Sequence, residues 1–99
     1  MAVAGLDVGT TGCKCTVYSD QGVWLKEAYR EYIFPEDCGG RELDAAIIWQ
    51  CVKEVIREAA QVTDPLRGIG VASMGEAAVL LDENYRKIST FSTYVKPQY

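Results

Sequence analysis

An α/β fold built on a mixed sheet is the class this sequence predicts, and three observations carry it. Apolar runs of strand length fill residues 2–34, one amphipathic helical pattern starts at Ala45, and further strand-length apolar runs follow that helix. Three hairpin-linked strands, a crossover helix and another strand place the later strand parallel to the first.

The first strand is expected over Ala2 to Val8, a short apolar run stopped at Gly9-Thr10-Thr11-Gly12. In the next run, Cys13 to Ser19, Cys13, Cys15 and Val17 alternate with Lys14, Thr16 and Tyr18, as in a strand with one covered face. Ser19-Asp20-Gln21-Gly22 signals a second turn, and Val23 to Phe34 is rich in the aromatic and branched residues of a third strand. Pro35 and the polar residues to Gly40 break the pattern, and Asp44 is a suitable N-cap for a helix starting at Ala45.

The spacing of Ile48, Val52, Val55, Ala59 and Val62 predicts a helix from Ala45 to Val62, with Trp49 and Ile56 widening its apolar stripe. Lys53, Glu54, Arg57 and Glu58 fall on its other face, and Asp64-Pro65 is its expected stop. Strands are then expected over Leu66 to Ala72, Ala77 to Leu81 and Arg86 to Phe91, the last two joined by a turn at Asp82-Glu83-Asn84-Tyr85. Residues 1–91 form one unit on this reading, and 92–99 are an unpatterned tail. The element order is that of the ribonuclease H-like fold, which the actin, heat-shock and sugar-kinase ATPases share.

With 99 residues, the chain suits one hydrophobic core and cannot hold two lobes with a cleft between them. Ten Lys and Arg against 14 Asp and Glu leave a net charge of -4, with no cationic cluster longer than Arg86-Lys87. Nucleic acid is therefore not an expected partner, because affinity for a phosphate backbone comes from grouped cations. No run approaches the length of a membrane span and no basic segment precedes the apolar N-terminus, so the expectation is a cytoplasmic protein with no membrane partner. Cys13, Cys15, Cys38 and Cys51 include no C-x-x-C pair and stand in a chain without histidine, which reads as core packing rather than a zinc site.

The chemistry concentrates between Asp7 and Lys14. Gly9 and Gly12 tolerate positive φ and admit a bulky anion close to the backbone, successive turn amides form an anion-binding concavity, and Thr10, Thr11 and Lys14 add donors and charge. A carboxylate beside such a cradle repels the anion unless a cation stands between them. Asp7 therefore implies Mg2+, held through water. The same residue types also favour an ordinary polar hairpin turn.

Leu6-Asp7-Val8-Gly9-Thr10-Thr11-Gly12-Cys13-Lys14 resembles the first phosphate motif of the FGGY carbohydrate kinases, the glycerol, xylulose, ribulose and gluconate kinases. Glu42-Leu43-Asp44 before a helix carrying Trp49 resembles their Glu-x-Asp-Pro and tryptophan pattern, with Ala45 in place of the proline. Gly68 to Glu76 followed by Val79-Leu80-Leu81-Asp82 is similar to their next strand pair. Where members carry an Asp-x-Arg element after the last of these strands, this chain has Lys96-Pro97-Gln98.

The resemblance implies an N-terminal fragment of a kinase that moves the γ-phosphoryl of ATP to a sugar or polyol hydroxyl. Asp7 would position Mg2+, and Gly9, Thr10, Thr11, Gly12 and Lys14 would meet the phosphates. Glu76, with Gly75 and Met74 beside it, would contact substrate hydroxyls; on the residues alone, Glu76 also suits a solvated turn and Met74 a packing position. The catalytic base aspartate and the adenosine pocket would lie in the missing remainder, leaving this chain inactive alone. Competing readings are a standalone, self-associating module without catalysis, an actin- or heat-shock-type ATPase fragment, and a two-metal nuclease, which Asp7 suits but which the helix acids Glu54 and Glu58, opposite the apolar stripe, and Ser73 and Met74, where a third acid is wanted, do not.

Overall fold

The computed structural model describes residues 1–33, 44–62, 64–74 and 77–92. Strands β1 (Ala2–Val8), β2 (Gly12–Ser19) and β3 (Trp24–Glu31) precede helix α1 (Ala45–Ala59), which is followed by β4 (Leu66–Ser73), β5 (Ala77–Leu81) and β6 (Lys87–Ser92). Four strands form one sheet in the order β3-β2-β1-β4, and β5 and β6 pair as a separate hairpin. β1 is antiparallel to β2 and parallel to β4, as the crossover helix requires.

Period-two alternation decides which side of the sheet is covered. Ala2, Ala4 and Leu6 of β1, Cys13, Cys15 and Val17 of β2, and Ala28 of β3 are buried, and they join Tyr32 and Val52, Val55 and Ala59 of α1 in one core. The alternate residues Val3, Asp7, Lys14, Tyr18 and Tyr29 are exposed on the opposite, open face. The expected packing role of the cysteines holds for Cys13 and Cys15, each 1% exposed. Burial pushes both thiols above their ordinary values, so they are un-ionised and poor nucleophiles at neutral pH. Cys38 lies outside the described residues.

Two turns are closed by side chains. The Ser19 hydroxyl accepts from the Gln21 and Val23 N–H groups at 3.2 and 3.1 Å, and Gly22 takes the left-handed conformation, φ 81°, that glycine adopts without penalty. Between β5 and β6, Asp82 Oδ1 accepts from the Asn84 and Arg86 N–H groups at 2.8 and 2.9 Å.

Helix α1 begins where its cap predicts, with Asp44 Oδ1 accepting from the Ala46 N–H at 2.9 Å and the Ile47 N–H at 3.4 Å. It ends at Ala59, earlier than the apolar spacing suggests. The Gln61 N–H closes back onto the Glu58 carbonyl, and the Pro65 carbonyl accepts from the Ala2 N–H, fixing where the chain re-enters the sheet. Val62 still packs against the core from beyond the helix. Trp49 does not widen the apolar stripe: it is 60% exposed, with the Lys53 ammonium 5.7 Å from its ring centroid.

Arg30, at the end of β3, reaches across to α1. Its guanidinium donates to Glu58 at 2.7 Å and lies 3.4 Å from Glu54. Both helix acids thus sit on the covered side of the sheet, away from Asp7 on the open face, which removes the grouping that a two-metal nuclease needs. The Arg30 hydrogen bond, and then its charge, hold the Glu58 carboxyl below its ordinary value. A depressed carboxylate contributes stability that is present above the unfolded pKa, about 4.3, and is lost as pH falls through the folded value. Between about pH 5 and pH 3 the melting temperature of the wild type should therefore fall more than that of Glu58→Gln. The difference should be small and should shrink with added salt, since the pair is well exposed; parallel slopes by differential scanning calorimetry would remove the pair from the pH response.

Helix α1 packs on β2 and β3. β4 is left open on both faces: Ile69 and Val71 are in register with the buried Ala4 and Leu6, yet they are 46% and 63% exposed. The far edge of β4 has no strand partner among the described residues.

Candidate functional site

The β1–β2 hairpin places every predicted phosphate-site residue at one end of the sheet. The Gly9 N–H donates to the Gly12 carbonyl at 2.9 Å, closing the turn with Thr10 and Thr11 at its tip. Neither the N–H nor the hydroxyl of Thr10 or Thr11 has a hydrogen-bond partner among the described residues. Two amides and two hydroxyls without partners among the described residues thus line a tip that can meet an incoming anion.

Asp7 and Lys14 flank this tip as direct cross-strand partners on the open face. Lys14 in turn pairs with Tyr29 of β3, and Asp7 with Ala72 of β4, so the four residues form a row across the sheet. Asp7 and Lys14 are exposed, and among the described residues neither forms an ion pair. Opposite charges on neighbouring strands border a tip whose donors, like the two charges, have no partner among the described residues.

The two glycines are required for a different reason from the one their type suggests. Neither Gly9 nor Gly12 has positive φ. The constraint is crowding: a Cβ on Gly9 would sit 3.1 Å from the Gly12 carbonyl oxygen, and one on Gly12 would sit 2.5 Å from the Tyr29 hydroxyl and 2.6 Å from the Arg30 carbonyl oxygen. The turn is packed tightly against β3, and only glycine leaves room for that strand.

Tyr29 and Tyr32 are the residues of this region that sequence reasoning missed. Their signal was present in the alternation of β3, which sends Tyr29 to the open face beside Lys14 and continues Ala28 and Arg30 to Tyr32 on the covered face. Tyr32, 7% exposed, touches the turn twice: its N–H donates to the Thr11 carbonyl and its hydroxyl to the Gly9 carbonyl, both at 3.0 Å.

Of the three residues expected near substrate, Met74 is half-buried at the end of β4, and its N–H donates to the Val8 carbonyl at 3.1 Å. That bond ties the segment after β4 to the strand leading into the phosphate turn. Gly75 and Glu76 lie outside the described residues. No group of three or more metal-ligating side chains occurs among the described residues, and no described helix is long and apolar enough to cross a membrane.

The chain is 36% identical over 88 residues to glycerol kinase 1 of Streptomyces avermitilis, covering 83% of this chain and 17% of that protein. It is 34% identical over 84 residues to the glycerol kinase of Gloeobacter violaceus, covering 82% of this chain and again 17% of the relative. Xylulose kinase from Lactobacillus acidophilus superposes with a TM-score of 0.77 at 24% identity, over 93% of this chain and 19% of that structure. Xylulose kinase from Rhodospirillum rubrum gives 0.75 at 25% identity, over 93% and 20%. The chain spans about a sixth of the length of the curated relatives it matches. Residues 2–97 match the N-terminal domain of the FGGY family of carbohydrate kinases, and the chain belongs to that family.

Proposed function

We propose that this chain supplies the phosphate-binding hairpin of an ATP-dependent kinase that transfers the γ-phosphoryl group to a hydroxyl of a sugar or polyol. The observation that carries the reading is the Thr10-Thr11 tip, whose unpaired donors stand between Asp7 and Lys14 in a member of the carbohydrate kinases. Phosphoryl transfer asks a protein mainly for positioning and for neutralisation of phosphate charge. The Thr10 and Thr11 amides and hydroxyls bind phosphate oxygens, and Lys14 offsets their charge from the neighbouring strand.

Asp7 fits an Mg2+ site of the usual kind, in which one or two carboxylates act with water and substrate phosphates rather than as a closed protein cage. It is exposed, free of ion pairs among the described residues, and one residue from the turn. When bound there, the ion supplies positive charge that offsets the repulsion between carboxylate and phosphate. Met74 follows β4, the strand beside β1, and Met74, Gly75 and Glu76 are the residues we propose for contact with substrate hydroxyls.

The base and the adenosine pocket belong to the part of the kinase beyond this span. The complete protein, supplied with Mg2+ and ATP, should phosphorylate glycerol, xylulose or gluconate, acceptors suggested by the names of its relatives and structural neighbours. The 99-residue chain alone should phosphorylate none of them. Absence of transfer to any sugar or polyol by the complete protein would refute the assignment.

β4 supports a second, compatible reading for the isolated chain. Its edge, without a strand partner among the described residues, and the exposed Ile69 and Val71 favour self-association when the rest of the kinase is absent. Light scattering should find dimers or larger species that an Ile69→Lys, Val71→Lys double variant converts to monomers. A wild-type chain that stays monomeric at high concentration counts against this surface.

A further inference from the structure

Tyr32 lies just beyond β3, outside the motif that marks the phosphate turn, yet it holds that turn at two points. Its main-chain N–H donates to the Thr11 carbonyl and its hydroxyl to the Gly9 carbonyl, each at 3.0 Å. The ring is anchored below the turn as part of the buried core, 7% exposed. Burial, and then the neighbouring Cys13 and Cys51, push its phenol well above the ordinary value, so the hydroxyl keeps the proton it donates.

A trans peptide points its C=O and N–H in opposite directions. The described peptides include no cis bond, so holding the Gly9 carbonyl toward Tyr32 turns the Thr10 N–H away from it. That N–H is one of the two tip amides without a partner among the described residues. Without the tyrosine hydroxyl, the Gly9–Thr10 peptide plane loses its only side-chain restraint among the described residues and can rotate.

We propose that Tyr32 is a positioning residue for phosphoryl transfer: its hydroxyl fixes the Gly9–Thr10 peptide so that the Thr10 N–H faces the bound phosphate. Tyr32 acts through the backbone and touches neither nucleotide nor acceptor. The inference rests on the hairpin's being the phosphate site, and Asp7→Asn serves as the separate check on that reading.

The test is steady-state kinetics of the complete kinase with ATP and its acceptor, comparing Tyr32→Phe, Asp7→Asn and Val55→Ala. Tyr32→Phe keeps the ring and removes the hydroxyl that donates to the Gly9 carbonyl. Val55, fully buried in α1 and absent from the turn, lowers stability when truncated and serves as a control for a merely structural effect. Tyr32→Phe should lower kcat/KM for ATP by about tenfold, leave KM for the acceptor unchanged, and speed hydrogen exchange at the Thr10 amide. Val55→Ala should leave both kinetic constants near wild type despite a lower melting temperature.

Tyr32→Phe kinetics within about twofold of wild type, or a change matched by Val55→Ala, overturns the proposal even where Asp7→Asn is inactive. A fully active Asp7→Asn overturns the metal role in the underlying reading instead. Should Tyr32→Phe fold poorly, hydrogen exchange in the wild type decides: a Thr10 amide that gains no protection on adding Mg2+ and ADP, in an enzyme where Asp7→Asn is inactive, also overturns the proposal.

Discussion

Asp7→Asn in the complete kinase should lower kcat by at least about 10²-fold while leaving the fold intact. The substitution keeps the size of the side chain and removes its charge. Asp7 is exposed and makes no ion pair or side-chain hydrogen bond among the described residues, so the domain loses no contact that holds it together. Its melting temperature should follow the small changes typical of surface positions. On the proposed reading the carboxylate holds Mg2+ against phosphates at the Thr10-Thr11 tip, so the loss should fall on the reaction. Assays across a range of Mg2+ concentrations should show a weakened metal dependence together with the lower kcat. Wild-type turnover at every Mg2+ concentration would remove Asp7 from the metal site.

Gly12→Ala should be the most damaging small substitution in the hairpin. The new methyl would meet the Tyr29 hydroxyl at 2.5 Å and the Arg30 carbonyl oxygen at 2.6 Å. Tyr29 is half exposed and can swing aside at little cost. Arg30's carbonyl cannot, because it belongs to β3 and is held by the β2–β3 ladder. The strands must part at the end that carries the phosphate turn, at a cost of about 2 kcal/mol by the usual scale of overpacking. For a domain of this size, that corresponds to a fall of roughly 10 °C in melting temperature. Gly5→Ala is the matched control, since a Cβ there meets nothing within 4 Å. Equal melting temperatures for the two variants would show that the turn does not depend on its close approach to β3.

The strands and their pairing were legible because alternation at Cys13, Cys15 and Val17 leaves only one way to cover β2. The helix start was legible in Asp44, whose carboxylate performs the capping role its side chain suggests. The helix end was not: Val62 keeps the apolar spacing after the hydrogen bonding has stopped, since a residue can pack on the core without being helical. At the site, Asp7, the turn and Lys14 are consecutive in the chain, so a local motif contains them. Tyr29 and Tyr32 reach the same turn only through strand pairing, a relation that no local motif contains. The motif also identified Gly9 and Gly12 but not why they are glycine, because the crowding comes partly from β3.

The position of β4 has a consequence for the order in which this domain assembles. β1, β2 and β3 are neighbours in the chain and can zip together through short loops, whereas β4 must find β1 across roughly sixty intervening residues, pairing Leu66 with Ala2. With neither face covered, β4 gains little burial on arrival. It is therefore the strand expected to dock last and detach first, and Met74 travels with it. The β1–β2 hairpin can thus take its final shape before β4, and the Met74 N–H that bonds the Val8 carbonyl, arrive beside it.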